Sequence, residues 1–428
     1  MIWNKIESAS REELESLQLS RLKESLQRVY ALTPFYRNQF DSIAIKPEDI
    51  KTLADIQKLP FTKKQDLRDH YPFGLFTVDM DQIVRIHSSS GTTGKPTVVG
   101  YNAHDIAVWN EVMARVYTMS GVTANDVIHN GYGYGLFTGG LGFHTGAEYI
   151  GATIVPASGG FTDRQLMLMR DFGATILACT PSFALHLAEV AKKSGKNFRD
   201  DYRLKAGIFG AEPTSQGLKE QVASSWGISY HEVYGLSEII GPGVSCSCSY
   251  SDRLHIFEDH FFAEIIDPKS GEVLGEGERG ELVITTLTKQ ALPIIRYRTG
   301  DITSITKEPC KCGRTQIRME SIIGRADDML IVNGVNVYPS QVEHVIANSD
   351  GVTLNYQIIV DKKGHLDKLE IMIEVDEDQT IDKEKIKKNI EVALLNNLYI
   401  NASVNLVDCE TIARSMGKAI RVIDKRKR

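Results

Sequence analysis

Between Ile86 and Tyr101 the chain runs His87-Ser88-Ser89-Ser90-Gly91-Thr92-Thr93-Gly94-Lys95-Pro96. Glycines let a backbone take positive φ and turn successive N–H groups inward, hydroxyls add donors, and a lysine adds a point charge. That combination suits a polyphosphate, with a solvated Ser/Thr/Gly turn as the bland alternative. A Walker A loop needs Gly-x4-Gly-Lys-[Ser/Thr], but Ser89 stands at the first glycine and Pro96 follows the lysine. Ile83 to Ile86 reads as an entering strand and Thr97-Val98-Val99 as a leaving one, whereas a Walker loop opens a helix. P-loop nucleotide hydrolysis is therefore disfavoured.

Five further segments put glycine beside charged or aromatic side chains at the end of an apolar run, where α/β enzymes collect ligands. They are Gly210-Ala211-Glu212-Pro213, Tyr234-Gly235-Leu236-Ser237-Glu238, Tyr297-Arg298-Thr299-Gly300-Asp301, Gly324-Arg325-Ala326-Asp327-Asp328 and Met416-Gly417-Lys418. Singly, each reads first as a structural turn. Tyr132, Tyr134, Phe137 and Phe143 stand among glycines, which either makes room for a flat ligand or packs a βα unit. Four of the six cysteines form two Cys-x-Cys pairs, Cys246-Ser247-Cys248 and Cys310-Lys311-Cys312, the second followed by Gly313. Thiolates with imidazole suit a closed tetrahedral Zn²⁺ site, for which His255 is a further candidate; zinc sites more commonly use Cys-x2-Cys, and four unligated thiols is the alternative.

Periodicity says what positions these residues. Leu14, Leu17, Leu22, Leu26 and Val29 recur at helical spacing until Pro34 stops the pattern. Between about 100 and 230, helical stretches (His104 to Ser120, Ser182 to Ser194) alternate with apolar runs (Ala152 to Pro156, Ala174 to Cys179, Ala206 to Phe209), a βα sheet texture. After Pro242 short strands with Gly/Asp/Pro turns predominate, as at Phe262 to Ile266 and Glu281 to Thr286. Beyond 324 a strand, a helix (Ser340 to Asn348), two alternating strands (Leu354 to Val360, Leu369 to Val375) and a charged helix (Lys383 to Asn397) suggest a separate α+β unit.

With 428 residues, 42% hydrophobic and 24% charged, the chain has ordinary globular composition and no apolar run long enough for a membrane span. A net charge of −6 argues against nucleic acid as a partner. The basic run Lys425-Arg426-Lys427-Arg428 reads as a solvated end, Cys179 and Cys409 as ordinary buried thiols. Without an apolar signal core at the N-terminus, a cytoplasmic location with reduced cysteines is expected.

In order and spacing, the Ser/Thr/Gly loop and the five segments resemble the acyl-adenylate-forming superfamily from about Phe35 to Lys418. Tyr132-Gly133-Tyr134-Gly135-Leu136-Phe137-Thr138-Gly139-Gly140 and Gly334-Val335-Asn336-Val337-Tyr338-Pro339 resemble its phenylacetate–CoA ligase branch. The resemblance implies an α/β fold with a large N-terminal domain (1–324) of mixed sheets with helices plus a β-rich subdomain, and a small mobile C-terminal α+β domain (325–428), with Asp327 at the hinge. It also implies a two-step reaction: a carboxylate attacks the α-phosphate of ATP, giving acyl-AMP and pyrophosphate, and the CoA thiol then displaces AMP. The acceptor stays open, since a relative that passes the acyl group to a carrier protein or an amine would keep every ATP residue.

Roles follow from the resemblance. Ser89, Ser90, Gly91, Thr92, Thr93 and Gly94 would hold the β- and γ-phosphates, with Lys95 neutralising charge. Glu238 would bind Mg²⁺, and Ser237 replaces the commoner threonine beside it. Tyr234 and Gly235 would flank adenine, Gly210, Ala211 and Glu212 would wall it, Asp301 would accept from the ribose hydroxyls, and Arg325 would reach ribose or phosphate. Lys418 would bridge the attacking carboxylate and the α-phosphate. Tyr132, Tyr134, Phe137, Phe143 and Ile240 would face the acyl group of an arylacetate-like acid, although phenylalanine at 143 replaces a residue commonly small in relatives. Relatives that retain the second cysteine pair favour Cys248, His255, Cys310 and Cys312 as a structural Zn²⁺ set, with Cys246 as the alternative fourth ligand. Relatives are often homodimers, but no exposed stripe in this sequence marks such an interface.

Overall fold

The computed structural model describes residues 1–89, 96–195, 198–326, 330–332, 335–363, 366–376, 382–398, 400–413 and 421–427. Ser90 to Lys95, Asp327 and Lys418 therefore lie outside the described residues.

The chain opens with the helix Arg11–Leu32, whose start is fixed by a capping box between Ser10 and Glu13. Its apolar stripe, Leu22, Leu26 and Val29, packs with Tyr36, Phe40, Ile50, Ile56 and Leu59 in a satellite core. The centre is a nine-stranded mixed sheet. Its parallel part runs, in spatial order, Ser229–Leu236, Ala206–Gly210, Ile176–Cys179, Val127–Asn130 and Thr153–Val155. Helices such as Thr138–Tyr149, Pro181–Lys193 and Gln216–Trp226 stand between these strands in sequence. Gly241–Cys248 and Ser251–Ile256 extend the sheet antiparallel. A four-stranded antiparallel sheet, Phe261–Ile266, Gly280–Thr286, Tyr297–Thr303 and Gly324–Arg325, forms the β-rich portion.

The run His255-Ile256-Phe257-Glu258-Asp259-His260 joins these layers through buried charge. Arg115, on the helix Ala103–Met119, forks onto Asp259 at 2.7 and 2.9 Å, and Glu258 accepts from Arg11 at 2.6 Å and from the Ile317 N–H at 2.7 Å. Removing one partner of a fully buried pair such as Arg115–Asp259 costs about 3–5 kcal/mol, so this pair helps hold the layers in register.

After 330, the strands Ala402–Val407, Leu366–Val375, Val352–Lys363 and Val422–Asp424 form a second sheet with the helices Pro339–Ala347 and Lys383–Leu398. Their apolar residues share a core cluster with Leu185, Leu218, Val222 and Trp226 of the first body. The alternation of helix and apolar run, and the change of texture past Pro242, thus correspond to real elements. Two details differ from expectation. The basic run at the end is not simply solvated, because Arg426 pairs with Asp367 at 3.1 Å and Asp424 at 2.9 Å. Cys179 is fully buried, but Cys409 is only half-buried. Among the described residues no helix is long and apolar enough to cross a membrane.

Candidate active site

The strands Arg85–Ser88 and Val98–Tyr101 pair antiparallel, with Ser88 opposite Val98, so residues 89–97 do connect strand to strand. The neck is closed by the Ser89 N–H donating to the Thr97 carbonyl at 2.9 Å and by the Thr97 N–H donating to Ser89 Oγ at 2.9 Å. Ser89 thus has a structural task before any ligand arrives. The Ser88 N–H donates to Leu136 O at 3.0 Å, which ties the loop to the aromatic-glycine segment.

Tyr101, at the end of the leaving strand, stacks on Trp109 with centroids 4.9 Å apart. Its hydroxyl donates to Ile240 O at 3.0 Å and thereby pins the turn that carries Glu238. That turn is a tight hairpin: a Cβ on Gly235 would come 1.9 Å from Gly241 O, so no larger residue fits. Glu238 is buried, and one carboxylate oxygen accepts from the Tyr297 hydroxyl at 3.2 Å. The ammonium of Lys289 lies 3.4 Å from Glu238 O and 4.6 Å over the Tyr101 ring, and burial pushes its pKa down to about 8. The Ser237 and Thr138 hydroxyls are 3.1 Å apart, joining this turn to the aromatic segment.

Tyr234, four residues upstream, donates from its hydroxyl to Asp301 at 2.7 Å. The other oxygen of Asp301 accepts from Arg325 at 3.1 Å, and the two residues are opposite one another on paired strands. Three residues singled out from separate segments therefore meet at one carboxylate. Gly210 ends its strand where a Cβ would strike Val233 O at 2.2 Å, and Ala211 takes a left-handed φ of 72°. The chain then turns Glu212 onto the start of the helix Pro181–Lys193, where it accepts from Ser182 N at 2.7 Å and Ser182 Oγ at 3.0 Å. Burial nevertheless raises the pKa of this carboxyl. Residues 131–138, 180–182, 210–212 and 237–238 all follow the C-terminal ends of the parallel strands, the usual ligand edge of such a sheet.

Of the acyl-facing candidates, Tyr132 stacks on Phe143 with centroids 4.6 Å apart, and its hydroxyl is buried without a partner among the described residues. Tyr134 accepts from Asn130 at 2.8 Å. Phe143 and Ile240 are each 1% exposed and belong to the buried core, Phe143 under the Tyr132 ring, whereas Phe137 is 51% exposed.

The cysteine cluster is well defined. One ligand atom from each of Cys248, His255, Cys310 and Cys312 lies within 4.8 Å of all the others. Cys248 and Cys310 sulfurs are 3.7 Å apart, and Cys312 Sγ is 3.4 Å from His255 Nε2. Tetrahedral zinc with Zn–S near 2.3 Å needs sulfurs about 3.8 Å apart, so the four fit the ion. Cys246 does not join them: its thiol donates to Ser247 O at 3.3 Å within the core, and burial pushes its pKa up to about 12. A register shift between Ser247 and Cys248 falls where the two cysteines part.

Sequence reasoning passed over Tyr297 as a partner of Glu238, Ser182 as the anchor of Glu212, and Lys289. Tyr297 stood inside a quoted motif, but Lys289 sits in a Thr-Lys-Gln-Ala turn that reads as solvated.

Residues 24–288 match the family described as AMP-binding enzyme, and residues 334–426 match AMP-binding enzyme C-terminal domain. The chain is 46% identical to the phenylacetate-coenzyme A ligase of Thermus thermophilus, covering 99% of each, and 46% identical to that of Escherichia coli, covering 98% of this chain and 97% of the relative. Among solved structures, 2-hydroxyisobutyryl-CoA ligase in its postadenylation state, bound to an acyl-AMP, superposes with a TM-score of 0.94 at 28% identity, covering 99% of this chain and 92% of the relative. In its thioesterification state the same relative scores 0.74 at 29% identity with the same coverage. The chain belongs to the AMP-binding enzyme family and, within it, to the phenylacetate–coenzyme A ligases: it is an AMP-forming ligase that joins a carboxylic acid to CoA at the expense of ATP.

Proposed function

We propose that the acid is an arylacetate of the phenylacetate type, that residues 1–324 and 325–428 act as two domains, and that the site residues divide the work as follows. The observation that supports the substrate best is the stacked Tyr132–Phe143 pair in the aromatic-glycine segment, which the Thr138–Ser237 contact joins to the Glu238 turn, in a chain so close to curated phenylacetate-coenzyme A ligases. A carboxylate oxygen attacks the α-phosphorus and pyrophosphate leaves. The thiol sulfur then attacks the acyl carbon and AMP leaves with the oxygen it gained. The first attack brings an anion onto a polyanion, so positive charge and donors must stand where charge develops. Lys418 bridges the carboxylate and the α-phosphate, and the loop from Ser89 to Lys95 receives the β- and γ-phosphates. Asp301, oriented by Tyr234 and Arg325, accepts from the ribose hydroxyls, while Tyr234 and residues 210–212 flank adenine. Glu238 would hold Mg²⁺, general for this family, and the ion would offset phosphate charge; Tyr297 keeps one oxygen of that carboxylate oriented.

Measuring kcat/KM over a panel of arylacetic, benzoic and short aliphatic acids tests the substrate. Phenylacetate is expected to exceed acetate by about 100-fold or more, the scale of burying a phenyl ring. A preference for short aliphatic acids would sink the arylacetate reading.

Cys248, His255, Cys310 and Cys312 form a structural Zn²⁺ site that staples the hairpin Gly241–Cys248/Ser251–Ile256 to the 310–312 turn. With four protein ligands it leaves no open position for chemistry. Purified protein is expected to carry about one zinc per chain, and Cys310→Ser to lose it with a fall in Tm of at least about 5 °C. Metal analysis that finds no zinc in wild type would remove this assignment.

A further inference from the structure

The first and second bodies meet where helix Gln216–Trp226 crosses helix Pro339–Ala347. A Cβ built on Gly217 would lie 2.3 Å from the Cβ of Ala347, far inside contact distance. Gly217 has no positive φ, so its own helix does not require glycine. What the missing side chain permits is the approach of the other body. Beside it, buried Glu343 accepts from the Ser215 N–H at 3.2 Å, across the same boundary. Glu343 is itself held from within the second body: Tyr356 donates to it at 3.2 Å, and Arg421 lies 3.6 Å away with its guanidinium 4.4 Å over the Tyr356 ring. Ser215 follows closely on the Gly210-Ala211-Glu212 turn of the nucleotide edge. The contact thus links the placement of the second body to the wall of the ATP site.

We propose that the Gly217–Ala347 packing, with the Glu343–Ser215 hydrogen bond beside it, is a latch that selects the arrangement for adenylate formation over the one for thioester formation. The overall placement of the two bodies matches the postadenylation relative far better than the same relative in its thioesterification state. The latch rests on the two-step reading above. A Cβ at 217 obstructs only the latched arrangement, because Ala347 must leave that contact whenever the second body turns away.

Gly217→Ala tests this directly. Acid-dependent ATP–pyrophosphate exchange is expected to fall about tenfold or more, as an overpacked contact is forced to give. Thioester formation from supplied acyl-adenylate and CoA is expected to stay within about twofold, and it doubles as the control for folding. Gly217→Ala combined with Ala347→Gly should restore exchange, since the next neighbour of the new Cβ, Ala347 Cα, is 3.6 Å away. Equal loss in both half-reactions, unchanged exchange in Gly217→Ala, or no rescue by the second substitution would overturn the latch. Wild type that exchanges with no acid would instead overturn the two-step reading on which the latch rests.

Discussion

Lys418→Ala is expected to reduce acid-dependent ATP–pyrophosphate exchange by about 100- to 1,000-fold, the scale of removing one donor from a developing oxyanion. In the mechanism proposed above, the lysine in Met416-Gly417-Lys418 would supply the charge that lets a carboxylate approach the α-phosphate. Once the adenylate exists, that charge has done its task, and displacement of AMP by a thiol needs no bridge between two anions. Thioester formation from supplied acyl-adenylate should therefore survive in the variant, and measuring the half-reactions separately checks this. Equal loss in both would place Lys418 in folding or in CoA binding; an unchanged exchange rate would remove it from the mechanism. The neighbouring described residues are anchored: Ile412 N–H donates to Glu374 at 2.8 Å, and Arg421 to Leu354 O at 3.0 Å.

Glu238→Gln should cost about 100-fold or more in exchange and raise the Mg²⁺ concentration needed for half-maximal rate, because a hard cation prefers a charged carboxylate. The amide keeps the shape and still accepts from Tyr297, whose hydroxyl stands 3.2 Å from the carboxylate. Folding should consequently be spared, and circular dichroism should superpose on wild type. A Mg²⁺ titration with an unchanged midpoint would separate Glu238 from the metal. Lys289, buried beneath the same turn, contributes a second consideration. With the glutamate neutralised, its buried ammonium loses one of the two acidic groups that favour its charged form, leaving Asp105.

Much of this was legible in the residues themselves. Apolar runs on both sides of Ser88 to Pro96 marked a strand-to-strand loop, and Glu238, Asp301 and Arg325, from three separate segments, are linked through Tyr297 and Tyr234. Local pattern could not choose between Cys246 and Cys248, which stand two apart in one strand, because the choice depends on the register shift beside Ser247. Nor could it tell that Phe143 lies under Tyr132 instead of beside it. Lys289, Ser182 and the Glu343–Ser215 contact were invisible for a common reason. Each acquires its role from a partner distant in sequence, and no spacing rule reaches that far.

The central claim, adenylate formation followed by transfer to CoA, is tested most directly by product stoichiometry. With ATP, Mg²⁺, phenylacetate and CoA, the protein is expected to release AMP and pyrophosphate in step with thioester, and to release neither steadily when the acid is withheld. Formation of ADP and phosphate, or AMP release indifferent to acid and CoA, would contradict it.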